Sequence, residues 1–268
     1  MPGNAAVKST ARTALKGFWP QAIAASLWFM AVCAVLFVLL SVNSTLFGVR
    51  ATVLNVVLTV VFAFLIIAPC FLGLLRFFRR AIYGNTDSFS SLFYYFSDKH
   101  KYKKAVWFFI MLVCRMGAIG LLTFLPYIIV RIIELLPFKF VADSLFLQFS
   151  IIRFVMYIIG VLFFLIVNLR YYIAPMLFVS CDDMHWTEII YVSKHVSRYS
   201  SGPFLVLIVG FTGWILLSFL GVTLIYTMPY MLAAYAVHCR FAFSHYNHNI
   251  EVMKDTDFPE YRSNCIRY

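Results

Sequence analysis

Apolar residues in this chain fall in long uninterrupted blocks rather than at the spacing of a soluble helix or strand. Five blocks reach the roughly twenty residues that cross a hydrocarbon layer of about 30 Å: Trp19–Val42, Ala51–Leu75, Ala105–Val130, Ile151–Leu169 and Phe204–Val222. A sixth, Leu224–Phe243, follows at once and contains Pro229. The stretch Leu205–Phe243 reads either as two tightly linked helices or as one helix with a re-entrant piece, and two helices bring the count to about six. Two connections are amphipathic. Phe89, Leu92, Phe93 and Phe96 recur at i, i+3, i+4, i+7 behind Thr86 and Asp87, which can cap a helix. Trp186, Ile189, Val192 and Val196 do the same after the fourth block, with Lys194 and Arg198 interspersed. The pattern predicts two helices lying at a membrane surface. Helices that dock a partner are the alternative. The expected fold is all-α, a polytopic membrane helix bundle with about six transmembrane helices and two interfacial ones.

Composition removes the soluble alternatives. Of 268 residues, 63% are hydrophobic and 12% charged, against roughly 45–50% and about 25% in an average soluble domain. That little charge cannot coat a globule of this size. The net charge is +11, with 22 Lys+Arg against 11 Asp+Glu, and the bases flank the apolar blocks. They mark the positive-inside rule and anionic lipid at the cytoplasmic face, rather than nucleic acid. Seventeen of the bases fall on one side of the six-span topology and three (Arg50, Arg131, Lys139) on the other. Both termini are therefore expected in the cytoplasm, with Trp19 and Trp107 as interfacial anchors. The block after Lys8, Arg12 and Lys16 is too long for a signal-peptide core and reads as an uncleaved first helix. Residues 1–243 form one transmembrane helical domain on this reading, and 244–268 a cytoplasmic tail.

Candidate chemistry is sparse. Arg115 lies ten residues into the third block, about 15 Å deep at 1.5 Å per residue, and a charge there marks a ligand site or a buried partner by default. No acidic residue sits in any block to pair with it. It therefore either faces a cavity for an anion, or is satisfied by carbonyls and by snorkelling. Pro69, Pro126, Pro175 and Pro229 lie in or at the ends of blocks and predict kinks. Gly117, Ala118 and Gly120, with Gly210, Gly213, Ser218 and Gly221, suggest close helix contacts. Six cysteines without a C-x-x-C pair read as free thiols. No catalytic motif or cofactor signature is present. Asp182, Asp183 and His185 read as helix capping rather than a metal site, and His245 and His248 with Cys265 have poor spacing for one.

Two segments align with gaps: residues 68–130 and 174–230. Each opens on Ala-Pro (Ala68-Pro69, Ala174-Pro175), passes an amphipathic stretch, and closes on Pro-Tyr (Pro126-Tyr127, Pro229-Tyr230). The match suggests a parallel internal repeat, with chance similarity of two amphipathic loops as the alternative.

The order of short motifs resembles a bacterial multi-pass membrane family known as domain of unknown function 975. Ala11-Arg12-Thr13-Ala14-Leu15-Lys16-Gly17 is similar to its N-terminal pattern. Ser193-Lys194, Phe211-Thr212-Gly213-Trp214 and Pro229-Tyr230 are similar to its second half, while Ser197-Arg198-Tyr199 departs from the Met-Lys-Gly that usually follows Ser-Lys. The resemblance covers roughly residues 8–243 and implies a bacterial cytoplasmic membrane protein without implying an activity. The expected function is a non-enzymatic accessory or regulatory membrane component, meeting lipid, a membrane-protein partner or a second copy of itself. The alternative is a small-solute or lipid transporter with an anion-binding cavity at Arg115.

Overall fold

A computed structural model of the protein describes residues 3–47, 51–84, 89–135, 143–181, 184–218, 221 and 223–252. Thr86, Asp87, Lys139, Asp182, Asp183, Cys265 and the end of the tail lie outside them. Among the described residues there is no strand. Ten α-helices follow in order: α1 (Asn4–Leu15), α2 (Trp19–Phe47), α3 (Ala51–Phe62), α4 (Ala68–Ile82), α5 (Lys99–Leu135), α6 (Asp143–Asn168), α7 (Ala174–Ser180), α8 (Trp186–Val209), α9 (Thr212–Ser218) and α10 (Leu224–Val252). A π turn, Ala63–Ile67, joins α3 to α4, and 3₁₀ turns occupy Phe89–Phe93 and Leu169–Tyr171.

The protein is a multi-pass membrane protein by the length and composition of its helices. Four candidate spans qualify, Trp19–Leu39, Val57–Ile82, Lys99–Ile132 and Ile151–Ser180, and a fifth if α8 and α9, bent by 47° at their junction, count as one. The sixth expected span, α10, is not in that set. Its sequence carries Tyr226, Thr227, Tyr230, Tyr235, His238 and Arg240 among its apolar residues.

Packing explains why α10 can be polar. Tyr230, Ala233, Ala234, Ala236, Val237, His238, Cys239, Ala242 and Phe243 are all buried, and α10 packs against α1, α2, α4, α8 and α9. A helix surrounded by protein does not need to dissolve in lipid. Its alanines let neighbouring backbones approach closely, as small residues do at membrane helix interfaces. Helix α4 is the second central element. Every residue from Leu72 to Phe78 is buried, and it lies between two hydrophobic clusters, giving Leu72 and Leu75 to one and Leu74, Phe77 and Phe78 to the other.

The N-terminal segment contains a helix that the apolar blocks do not reveal. Val7, Ala11 and Leu15 form a buried stripe on α1 at i, i+4, i+8, and α1 docks on α10, α4 and α8. Gly17 turns the chain into α2 with φ of 86°, a conformation glycine adopts without a Cβ penalty. Helix α10 also runs nine residues past Phe243, so the segment from Ser244 to Val252 is helical.

Helices α5 and α6 form an antiparallel hairpin of a different kind. A Cβ at Gly120 would sit 3.2 Å from the Phe164 ring and one at Gly160 3.1 Å from Phe124, while Tyr127 and Tyr157 rings lie 5.7 Å apart. These pairs fix the register. The remaining faces are open: Leu121, Leu122, Phe154 and Ile166 are each at least 60% exposed. Gly120 is thus a true contact point, whereas a Cβ on Gly117 or Gly213 would meet nothing within 4 Å.

Candidate functional site

Arg115 takes its position from that hairpin register. Five residues before Gly120 meets Phe164, Arg115 lies beside the 3₁₀ turn that ends α6, where its Nε donates to the Tyr171 hydroxyl at 3.1 Å. Its guanidinium carbon stands 5.6 Å from the Tyr171 ring centroid. The side chain is exposed, and Arg170 follows one residue before its partner. Arg115 therefore meets the 3₁₀ turn that follows α6, a turn that lies inside the candidate span Ile151–Ser180. None of the three cavities described among these residues is lined by it.

The same turn anchors a polar network that sequence reasoning missed. Where α6 breaks, the Arg170 carbonyl loses its helical partner and accepts from Ser193 Oγ at 3.2 Å and Ser197 Oγ at 2.8 Å on α8. One residue beyond Tyr171, the Tyr172 hydroxyl donates to Ser200 Oγ at 2.8 Å and lies 2.8 Å from His238 Nε2 on α10. Tyr235 donates to the Tyr172 carbonyl at 2.6 Å. Phe204 stacks on the Tyr172 ring at 3.9 Å and closes the group off. The network ties α8 and α10 to the end of α6. In an apolar surround, each lost partner would leave a polar group buried and unsatisfied. The sequence signal was faint: a histidine inside an apolar block, and serines on one face of α8 at 193, 197 and 200.

The four expected prolines occupy two kinds of place. Pro69 and Pro175 each sit in the first turn of a helix, α4 and α7, directly after a break. There proline's missing N–H costs nothing. The two helices pack on each other, and Arg79 Nη1 donates to the Val179 carbonyl at the end of α7 at 3.1 Å. Pro126 and Pro229 lie inside α5 and α10, the first exposed and the second buried.

The two amphipathic segments fold differently from the surface helices their spacing predicts. Phe89–Phe93 is a five-residue 3₁₀ turn. Leu92 is fully buried, whereas Phe89, Phe93 and Phe96 are 41%, 47% and 42% exposed. A Cβ on Gly73 would collide with the Leu92 carbonyl, so the turn is seated backbone to backbone on α4. The spacing i, i+3, i+4, i+7 fails because a tight 3₁₀ turn does not bring those four positions onto one face. The second segment is a helix, but Ile189, Val192 and Val196 are at most 1% exposed, with Trp186 half-buried against the same core. It continues through Pro203 as one helix into the fifth apolar block. His185 caps it: its ring accepts from the Thr187 N–H at 3.5 Å, while Glu188 accepts from the His185 N–H at 3.4 Å.

Basic side chains also serve as internal clips. Lys8 donates to the Gly210 carbonyl at 2.7 Å and lies 4.6 Å from the Phe211 ring centroid, a favoured use of lysine at a helix C-terminus. Arg76 is 8% exposed within α4. Cys33, Cys70, Cys114, Cys181 and Cys239 are free thiols. No group of three or more His, Cys, Asp or Glu side chains positioned for a metal ion occurs among the described residues.

No family model, curated protein or solved structure matches the chain.

Proposed function

We propose that the protein is a non-enzymatic accessory or regulatory component of a bacterial cytoplasmic membrane, belonging with the family of unknown function that its motifs resemble. Both termini and the lysine-rich start of α5 face the cytoplasm. The bent α8–α9 pair and α10 complete six crossings. Contact with a membrane-protein partner is made by Phe89, Phe93 and Phe96. The observation that carries this reading is how those rings are held. Leu92 and the Gly73 backbone contact fix the turn, so three large aromatic side chains are presented on a rigid support rather than on a mobile loop.

A photo-crosslinking residue at Phe93 or Phe96, in native membranes, should join the protein to one and the same membrane protein from both positions, and not from Leu121 on the α5–α6 hairpin. Adducts to lipid alone would overturn the partner and leave a surface anchor. The bond of Arg115 to Tyr171, and its place outside the lining of the three cavities, support a side chain satisfied by the protein over one that serves a transport cavity. Labelling of a cysteine at Ile119 by a membrane-impermeant thiol reagent would favour transport instead.

A further inference from the structure

We propose that the cavity between the Tyr94–Tyr95 turn, the start of α5 and α7 is a binding site for a phosphate ester. It is half-open, with a volume of about 440 Å³, inside the range of about 300–1,000 Å³ typical of small-ligand pockets. Its wall is aromatic on one side and cationic on the other.

Tyr95 and Phe178 make the aromatic wall, with ring centroids 5.9 Å apart. Phe178 is held from behind by Phe108, stacked at 4.4 Å. Lys101, Lys104 and His100 make the other wall. Lys101 Nζ stands 4.2 Å from the Tyr94 ring centroid, and the buried Arg76 guanidinium carbon 3.4 Å from the same centroid. Two cations on the ring of Tyr94, itself a lining residue, place positive potential beside the cavity. Asp98 also lines the site, and its Oδ1 accepts the His100 backbone N–H at 3.1 Å.

The segment Lys99–Lys104 holds four lysines and a histidine in six residues. Like charges this close on one helix repel one another. Only Lys101 and Lys104 of the four line the cavity; Lys99 and Lys103 are exposed. An anion in the cavity would relieve that repulsion, and a phosphate offers the oxygens for two ammonium groups at once. The aromatic wall suits the glycerol or acyl portion of a lipid headgroup, or the organic part of a soluble phosphomonoester. The shared chemistry is the phosphate, and the site stands whether or not a protein partner binds the phenylalanines.

The test uses the full chain in phosphatidylcholine nanodiscs, titrated with phosphatidic acid and, separately, with glycerol 3-phosphate, and read by native mass spectrometry. Lys101→Gln with Lys104→Gln should weaken binding at least about tenfold, the loss of one or two charge-assisted hydrogen bonds. Lys99→Gln with Lys103→Gln should leave it unchanged. Displacement of phosphatidic acid by glycerol 3-phosphate would name a soluble phosphate ester as the ligand, and its failure to displace would name the lipid headgroup. Equal losses in both double variants, or no binding of either probe, would overturn the site. If the Lys101/Lys104 variant does not fold, Lys104→Gln alone should cost about threefold, and unchanged affinity there would overturn it equally.

Discussion

Helix α10 and the α5–α6 hairpin are opposites. The hairpin is the more apolar and the less buried; α10 carries tyrosines, three histidines and an arginine, and sits at the centre of the molecule. In water the ranking would be reversed, because burial there is driven by apolar surface. In a bilayer the lipid is as apolar as leucine, so hydrophobicity records contact with lipid and small or hydrogen-bonding residues record contact with protein. Hydropathy therefore ranks the open hairpin above α10, while α4, the other central element, lies in a span that qualifies as well.

The comparison is most easily broken at the packed elements. Gly73→Leu should have the largest effect, abolishing monodisperse protein in detergent, because any side chain at that position must displace the Leu92 carbonyl on which the turn rests. A folded Gly73→Leu protein of normal thermal midpoint would show that the turn is not seated there. Tyr172→Phe comes next. It keeps the ring stacked on Phe204 but takes the hydroxyl from Ser200 and His238, at an expected cost of about 1–3 kcal/mol, read as a lower midpoint in thermal unfolding. Lys8→Met, which strips the clip from the Gly210 carbonyl, should cost about 1 kcal/mol.

The smallest effect is expected on the hairpin. Leu121→Ala and Leu122→Ala, at residues 69% and 70% exposed, should change stability by no more than about 0.5 kcal/mol. A loss comparable to that of Tyr172→Phe would sharpen the comparison in a different direction. It would mean that the hairpin packs on another copy of the chain, which chemical cross-linking in membranes would then detect.

Much of the architecture could be read from residue order. The first four apolar blocks are helices long enough to cross a membrane, and the fifth is so if its 47° bend is accepted. Of the candidate site residues, the prolines at 69 and 175 were read as kinks, whereas each opens a helix, where proline's fixed φ and missing N–H suit the first turn. The two amphipathic segments were only half legible. Ile189, Val192 and Val196 do share a face, but periodicity alone cannot say whether protein or lipid covers it. At Phe89–Phe96 the same periodicity belongs to a turn. Arg115 was judged by its distance along α5, whereas its surroundings depend on the pairing of α5 with α6.

The sequence by itself determined the class of molecule, because a chain with this little charge and this much contiguous apolar length has no stable form in water. It also determined where most helices run, since backbone groups in lipid must be satisfied within their own segment. Only the tertiary structure decided which faces are buried in protein and which stay open, that α1 docks and α10 is central, and that Tyr172, Ser200, Tyr235 and His238 converge. Those outcomes depend on contacts between residues far apart in the chain, and an apolar block looks the same whether its neighbour is an acyl chain or another helix.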